Sequence, residues 1–328
     1  MKKIIYIENE IKNSTRVTKI IKKFKDPVII YIDRYTEVFN KKNQHFKLQK
    51  LNPAIILAKK QKSFLLKTPK NYGIGSKHNY YFSFMYNCIF DCRYCFLQGL
   101  YNSSNLVIFI NYEDFFSKIT DLPSNLVNEG ITIFSGYDCD SLAYDSITGF
   151  ADIAIKKFAK LENIELEIRT KSTHINPFKI KAIKNIILAF SFTPERFSLV
   201  YEKGVPSLKK RISALETLVG YGWKIGLRLD PFVLYKGWES DYLDLFKLLF
   251  KKIPYNQIHS VTYGNIRFPK NIFMNMSKKN LGEELFLKFK KNNNNIYDEH
   301  NGEEIHNFCK SHLFNYVDKS KVFCNIHD

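Results

Sequence analysis

Between residues 79 and 275 short β-like runs alternate with segments of helical spacing, and this alternation limits the fold more than any other feature of the chain. The runs are YYFSFMY (80–86), GITIFSG (130–136), ELEIRT (165–170), NIILAFSF (185–192), KIGLRLD (224–230) and IHSVTYG (258–264). Helical periodicity marks Tyr112–Ile119, Ser146–Lys160, Ser207–Gly220 and Asp241–Lys252 between them. Strands separated by helices must run parallel, because a crossover returns the chain to the same end of the sheet. Six such units predict an α/β fold built on a partial (β/α)6 barrel, with functional residues at the C-terminal strand ends.

Two flanking stretches differ in texture. Residues 1–78 hold short apolar runs between lysine clusters and end in the turn-rich NYGIGSKHN. They predict a small basic α/β N-terminal unit before the barrel at 79–275. Residues 276–328, with NNNN at 292–295 and the late Cys309 and Cys324, form a short C-terminal extension to which the sequence assigns no role.

The formal net charge is +18, and residues 1–80 carry 19 Lys and Arg against five Asp and Glu. A basic segment with Tyr31, Phe39, Phe46 and Phe64 interspersed suits a nucleic-acid backbone. A genome biased toward lysine and asparagine would produce the same excess. MKKIIYIENE reaches Glu8 and Glu10 without the apolar run of a signal peptide, and no apolar stretch approaches the roughly 18 residues of a membrane helix. The expectation is a cytoplasmic protein without membrane contact. Six cysteines are too few for a disulfide scaffold in a chain of this size.

Three of those cysteines crowd into NCIFDCRYCFLQG, where Cys88, Cys92 and Cys95 are spaced C-x3-C-x2-C directly after the first β-run. A tight loop of this spacing can place three thiolates on one 4Fe-4S cube and leave the fourth iron without a protein ligand. In radical S-adenosylmethionine (SAM) enzymes that iron binds the methionine end of SAM. Structural zinc is the alternative, but it wants a fourth close ligand, and Cys139 and His174 are distant in sequence. Buried free cysteines are a further alternative.

CRYCFLQ resembles the cluster segment of the spore photoproduct lyases, radical SAM enzymes that reverse a thymine dimer of spore DNA. The likeness continues through GYDCDSLAYDS (136–146), RTKS (169–172), FSF (190–192), PSLKKRISAL (206–215), GWES (237–240) and IRFPK (266–270). The resemblance implies a radical SAM barrel binding a 4Fe-4S cluster and SAM, with ultraviolet-damaged DNA as substrate and a reducing partner such as flavodoxin or ferredoxin. It implies that a 5′-deoxyadenosyl radical takes a hydrogen from the lesion, that the inter-base bond fragments, and that Cys139 quenches the product radical. Ser141, Lys171 and Ser191 match SAM-holding positions, Tyr94 a tyrosine near the hydrogen-transfer route, and Arg267 an arginine of the substrate pocket.

Each of these positions also has an ordinary structural reading: a packed cysteine, a polar rim residue, a surface ion pair. Two departures stand out. Phe96 occupies the place of a second family tyrosine, and NNNNIYDEHNGEEIHNFC shows no counterpart of the family's basic, glycine-rich lesion-holding stretch. These departures leave open a same-family enzyme acting on an RNA base or a peptide. A nucleic-acid-binding iron–sulfur protein without SAM chemistry is the other alternative.

Overall fold

The computed structural model describes residues 2–69, 72–292 and 294–326. Near the N-terminus, Ile4–Glu8 lies between the parallel strands Val28–Ile32 and Ile55–Ala58. Ile5, Ile7, Ile55, Ile56 and Leu57 are fully buried, as expected for parallel strands covered on both faces. Two later segments complete this sheet: Leu106–Phe109 pairs parallel to Ile55–Ala58, and Met85–Tyr86 pairs antiparallel to Leu106–Phe109.

The second sheet contains the six strands read from the alternation, in chain order: His78–Tyr81, Ile131–Phe134, Ile164–Thr170, Ile186–Ser191, Lys224–Phe232 and Ile258–Asn265. All five neighbouring pairs are parallel. The sheet curls into a half-barrel whose edges, Leu66–Lys67 and Val322–Cys324, remain apart. Helices Tyr112–Thr120, Phe150–Phe158, Leu208–Gly220 and Trp238–Lys252 cover the crossovers, whereas the third and fourth strands are joined through only a short 3-10 turn, Asn176–Phe178.

Two local expectations are corrected. The run 80–86 is not one strand: His78–Tyr81 pairs with the barrel, and Met85–Tyr86 crosses to the N-terminal sheet. Phe82, Ser83 and Phe84 are buried at this crossing, and Phe84 stacks on Phe150 at 3.9 Å. One hydrophobic core therefore spans both sheets, and the cysteine loop that follows Tyr86 leaves from their junction. The helix expected over 146–160 is broken at Gly149, whose φ of 61° ends Asp145–Thr148 and restarts the chain as Phe150–Phe158.

The described residues of the C-terminal segment form regular elements. Lys290–Lys291 and Ile296–Asp298 form a hairpin that pairs with Arg267–Pro269. Helix Gly302–Leu313 buries Ile305, Cys309 and Leu313 and sets Phe308 4.6 Å from Trp238. The chain then adds Val322–Cys324 in parallel to the sixth barrel strand. Cys309 is thus a core residue.

Candidate active site

Residues 88–95 form a loop tied down on both sides. Asp91–Cys92 pairs with Glu202–Lys203, and the Arg93 amide donates to Tyr201 O at 2.9 Å. Lys50 Nζ donates to the carbonyls of Cys88 and Phe90 at 2.6 and 2.7 Å, while Gln98 Nε2 donates to Cys92 O at 2.8 Å. The short helix Leu97–Leu100 lies so close to Lys270–Lys279 that a Cβ on Gly99 would stand 2.3 Å from Ile272 O. Only glycine permits this approach, and it fixes the loop's exit.

The loop faces a cavity of ≈ 750 Å³ at the C-terminal ends of the barrel strands. Cys88, Cys92, Cys95 and Tyr94 line it from one side, Cys139, Lys171, Ser191 and Arg267 from the barrel side. Eight of the nine sequence-predicted site residues thus meet in one cavity. Ser141 does not line it: its hydroxyl pairs with Ser135 Oγ at 2.9 Å and its amide donates to Arg169 O at 3.1 Å, behind the wall.

The three loop thiols carry no disulfide. Burial pushes Cys88 up to about 12 and Cys92 well above the ordinary thiol range, so a metal must displace their protons on binding. Among the described residues no group of three or more His, Cys, Asp or Glu is arranged to hold a single metal ion. Three thiols on one cavity wall fit instead a cubane, which spreads them over three irons and accepts an outside ligand on the fourth.

Cys139 follows the second strand and is 6% exposed. Burial first, then Cys88, Asp140 and Asp138, raise its thiol well above the ordinary value. The sulfur therefore retains its hydrogen, the state a hydrogen-atom donor requires. Asp140 shapes the Cys139 loop, accepting from Thr170 Oγ1 and Lys171 N at 2.6 Å each and from Leu142 N and Ala143 N at 3.0 and 2.8 Å. It anchors the second strand's loop to the end of the third.

Glu202 organises the opposite wall. Its carboxylate accepts from Tyr94 Oη, from Thr193 Oγ1 at 3.0 Å, Ser198 Oγ at 2.7 Å and Arg211 at 2.9 Å. Lys171 Nζ stands 3.6 Å away. Burial alone would raise this carboxyl, but Lys171 and Arg211 hold it down to about 2. Lys171 is thus fixed at the cavity wall with its ammonium 5.5 Å from the Tyr94 ring centre.

Sequence reasoning missed Asp140, Glu202 and Arg211. Two local signals existed. Asp140 opens a turn by accepting from amides two and three residues on, and Arg211 sits on the buried stripe of its helix with Leu208, Ile212 and Leu215. An arginine on an apolar stripe demands a buried partner, but only the fold shows that the partner is Glu202.

Comparison with known proteins places this arrangement. A family model described as spore photoproduct lyase matches residues 1–323. The spore photoproduct lyase of Bacillus subtilis (strain 168) is 26% identical over 200 residues, 58% of this chain and 57% of that protein. The one from Geobacillus sp. (strain Y412MC61) is 24% identical over 188 residues, 56% of this chain and 55% of its own. These alignments span little more than half of either relative's length. Among solved structures, a mutant spore photoproduct lyase with bound AdoMet and dinucleoside spore photoproduct superposes with a TM-score of 0.82 at 17% identity, covering 99% of this chain and 98% of that one. Another, complexed with dinucleoside spore photoproduct, gives 0.79 at 16% identity, covering 100% and 99%. The match of the family model over nearly the whole length, on a half-barrel that gathers the three loop cysteines opposite Cys139, shows that this chain belongs to the spore photoproduct lyase family.

Proposed function

We propose that this chain is a radical SAM lyase that reverses spore photoproduct in ultraviolet-damaged DNA, with Cys139 as the hydrogen donor to the product. The observation that carries this reading is the single cavity in which Cys88, Cys92 and Cys95 face Cys139, Lys171, Ser191 and Arg267. Cys88, Cys92 and Cys95 would hold a 4Fe-4S cluster; Lys171 and Ser191 would hold SAM. Bound together, cluster and SAM supply a 5′-deoxyadenosyl radical. Burial keeps the Cys139 thiol protonated. Its S–H bond breaks as a C–H bond forms on the product thymine, and the unpaired electron passes to sulfur. Phe96 lines the cavity without a hydroxyl and the Tyr94 hydroxyl is engaged by Glu202, so in this reading Cys139 donates without a relay through these two rings.

Arg267 offers forked donors to a phosphate or base carbonyl. The hairpin beside it carries exposed Lys290 and Lys291 and turns Ile296 into the cavity, which supports a lesion-holding role for a segment whose composition shows none. In this reading residues 1–78 track the DNA backbone, 79–275 carry the chemistry and 276–328 close the substrate side. A lesion must leave the base stack to enter, a cost of a few kcal/mol that is least for a damaged base. In the same reading the protein works in the cytoplasm with a reducing electron donor such as flavodoxin or ferredoxin. No helix among the described residues is long and apolar enough to cross a membrane.

The test is anaerobic. The reconstituted protein is given dithionite, SAM and dinucleoside spore photoproduct, and 5′-deoxyadenosine and restored thymine are measured. Formation of both establishes the reading, deoxyadenosine without repair refutes the substrate, and absence of deoxyadenosine refutes the radical chemistry.

A further inference from the structure

The C-terminal strand reaches the cavity's substrate side. Beyond Val322–Cys324, the Asn325 amide donates to Tyr263 O at 2.8 Å, which continues the pairing along the sixth barrel strand. This register seats a residue 2% exposed beside the end of the fifth strand. There Asn325 Nδ2 donates to Asp230 Oδ2 at 3.1 Å. The other carboxylate oxygen, Oδ1, stands 3.8 Å from Arg267 NH1, and the same Arg267 nitrogen donates to Asn265 O at 3.0 Å. Asp230, Asn265 and Arg267 all line the cavity, whereas Asn325 lies behind them.

The packing leaves little slack. A Cβ on Gly264 would lie 3.0 Å from Asn325 Cβ and O and 3.1 Å from Arg267 NH1, so tail and arginine close on the sixth strand from two directions. The Asn325 Oδ1 atom is buried without a partner. The donor side of the same amide is satisfied by the carboxylate that faces Arg267.

We propose that Asn325 is a positioning residue for substrate binding: by fixing the Asp230 carboxylate, it holds the Arg267 guanidinium in the orientation that meets a substrate phosphate or base carbonyl. This rests on the reading of Arg267 as a substrate contact. A fixed Asp230 gives Arg267, a residue that lines the cavity, two anchors, one carboxylate and one carbonyl. Without the Asn325 donor, Asp230 is free to turn and Arg267 loses its alignment. The C-terminal segment thereby acquires a role in substrate affinity that is separate from SAM cleavage, whose three cysteines lie on the loop side of the cavity.

The experiment compares Asn325→Leu, which keeps size and removes the donor, with Asp230→Asn and Arg267→Ala in the full-length reconstituted protein. Each is assayed for KM and kcat on dinucleoside spore photoproduct, for substrate-free 5′-deoxyadenosine formation and for thermal midpoint. Asn325→Leu is expected to raise KM about ten-fold, the scale of one hydrogen bond to a charged group, with kcat and substrate-free SAM cleavage unchanged. Asp230→Asn should raise KM similarly, and the double variant should add little to either single one. An unchanged KM in Asn325→Leu, beside a raised KM in Arg267→Ala, overturns the proposal. A parallel fall in kcat, SAM cleavage and thermal midpoint also overturns it, since that pattern marks a purely structural strand anchor. An unchanged KM in Arg267→Ala overturns instead the reading of Arg267 on which the proposal rests.

Discussion

Replacing Glu202 by glutamine tests the buried charge network that fixes Lys171. The carboxyl is held near 2 in the folded chain against an ordinary 4.5, and each tenfold in proton affinity is worth about 1.4 kcal/mol, so its ionisation contributes about 3 kcal/mol to folding. A second route gives a similar figure. Arg211 is fully buried against Glu202 at 2.9 Å, and a buried charge stripped of its partner costs about 3–5 kcal/mol. Glu202→Gln preserves shape but supplies no negative charge, so it should destabilise the protein by about 3 kcal/mol and lower its thermal midpoint by roughly 5–10 °C.

The pH dependence carries the sign. The folded carboxyl stays charged down to about 2, whereas the unfolded one takes up its proton near 4.5. Its contribution is therefore full above pH 4.5 and disappears as pH falls toward 2. Denaturant unfolding of the anaerobic protein at several pH values should show wild type losing stability along this acid limb and Glu202→Gln losing less. The same variant should raise the KM for SAM, since Lys171 loses the carboxylate 3.6 Å away. A denaturant midpoint equal to wild type, together with an unaltered acid limb, would refute the reasoning.

Other consequences are more direct. Cys139→Ala should still cleave SAM to 5′-deoxyadenosine but convert dinucleoside spore photoproduct into an aberrant product, by chromatography and mass spectrometry; normal thymine restoration excludes Cys139 as the donor. Cys92→Ser should abolish stoichiometric iron and sulfide incorporation after reconstitution, while circular dichroism still reports the folded barrel. Gly99→Ala forces a Cβ to 2.3 Å from Ile272 O; it should cost about 1–3 kcal/mol and lower cluster occupancy, because the strain falls on the helix that fixes the loop's exit. Asp140→Ala removes the acceptor shared by four donors and should slow product formation more than SAM cleavage, read as a rise in the ratio of deoxyadenosine to thymine.

Much of this protein was legible in the sequence because its signals are local or periodic. Apolar runs such as Ile186–Ser191, where every residue is buried, announce parallel strands whatever surrounds them, and a three-cysteine spacing needs no tertiary context. Even so, the run at 80–86 was misread, since the switch of Met85–Tyr86 to another sheet depends on Leu106–Phe109 offering an edge twenty residues later. The sequence assigns the tail no role because its strand is only three residues long and is recognisable only once the sixth barrel strand lies beside it.

The sequence by itself determined the alternating core, the three-cysteine loop and the residue types that line the cavity. Tertiary structure decided which buried polar and charged groups meet. Nothing local joins Glu202 to Lys171 and Arg211, or Asn325 to Asp230, 95 residues away. The physical reason is that burial of apolar surface is set residue by residue, while a buried charge is tolerable only where the completed fold brings its counter-charge within reach.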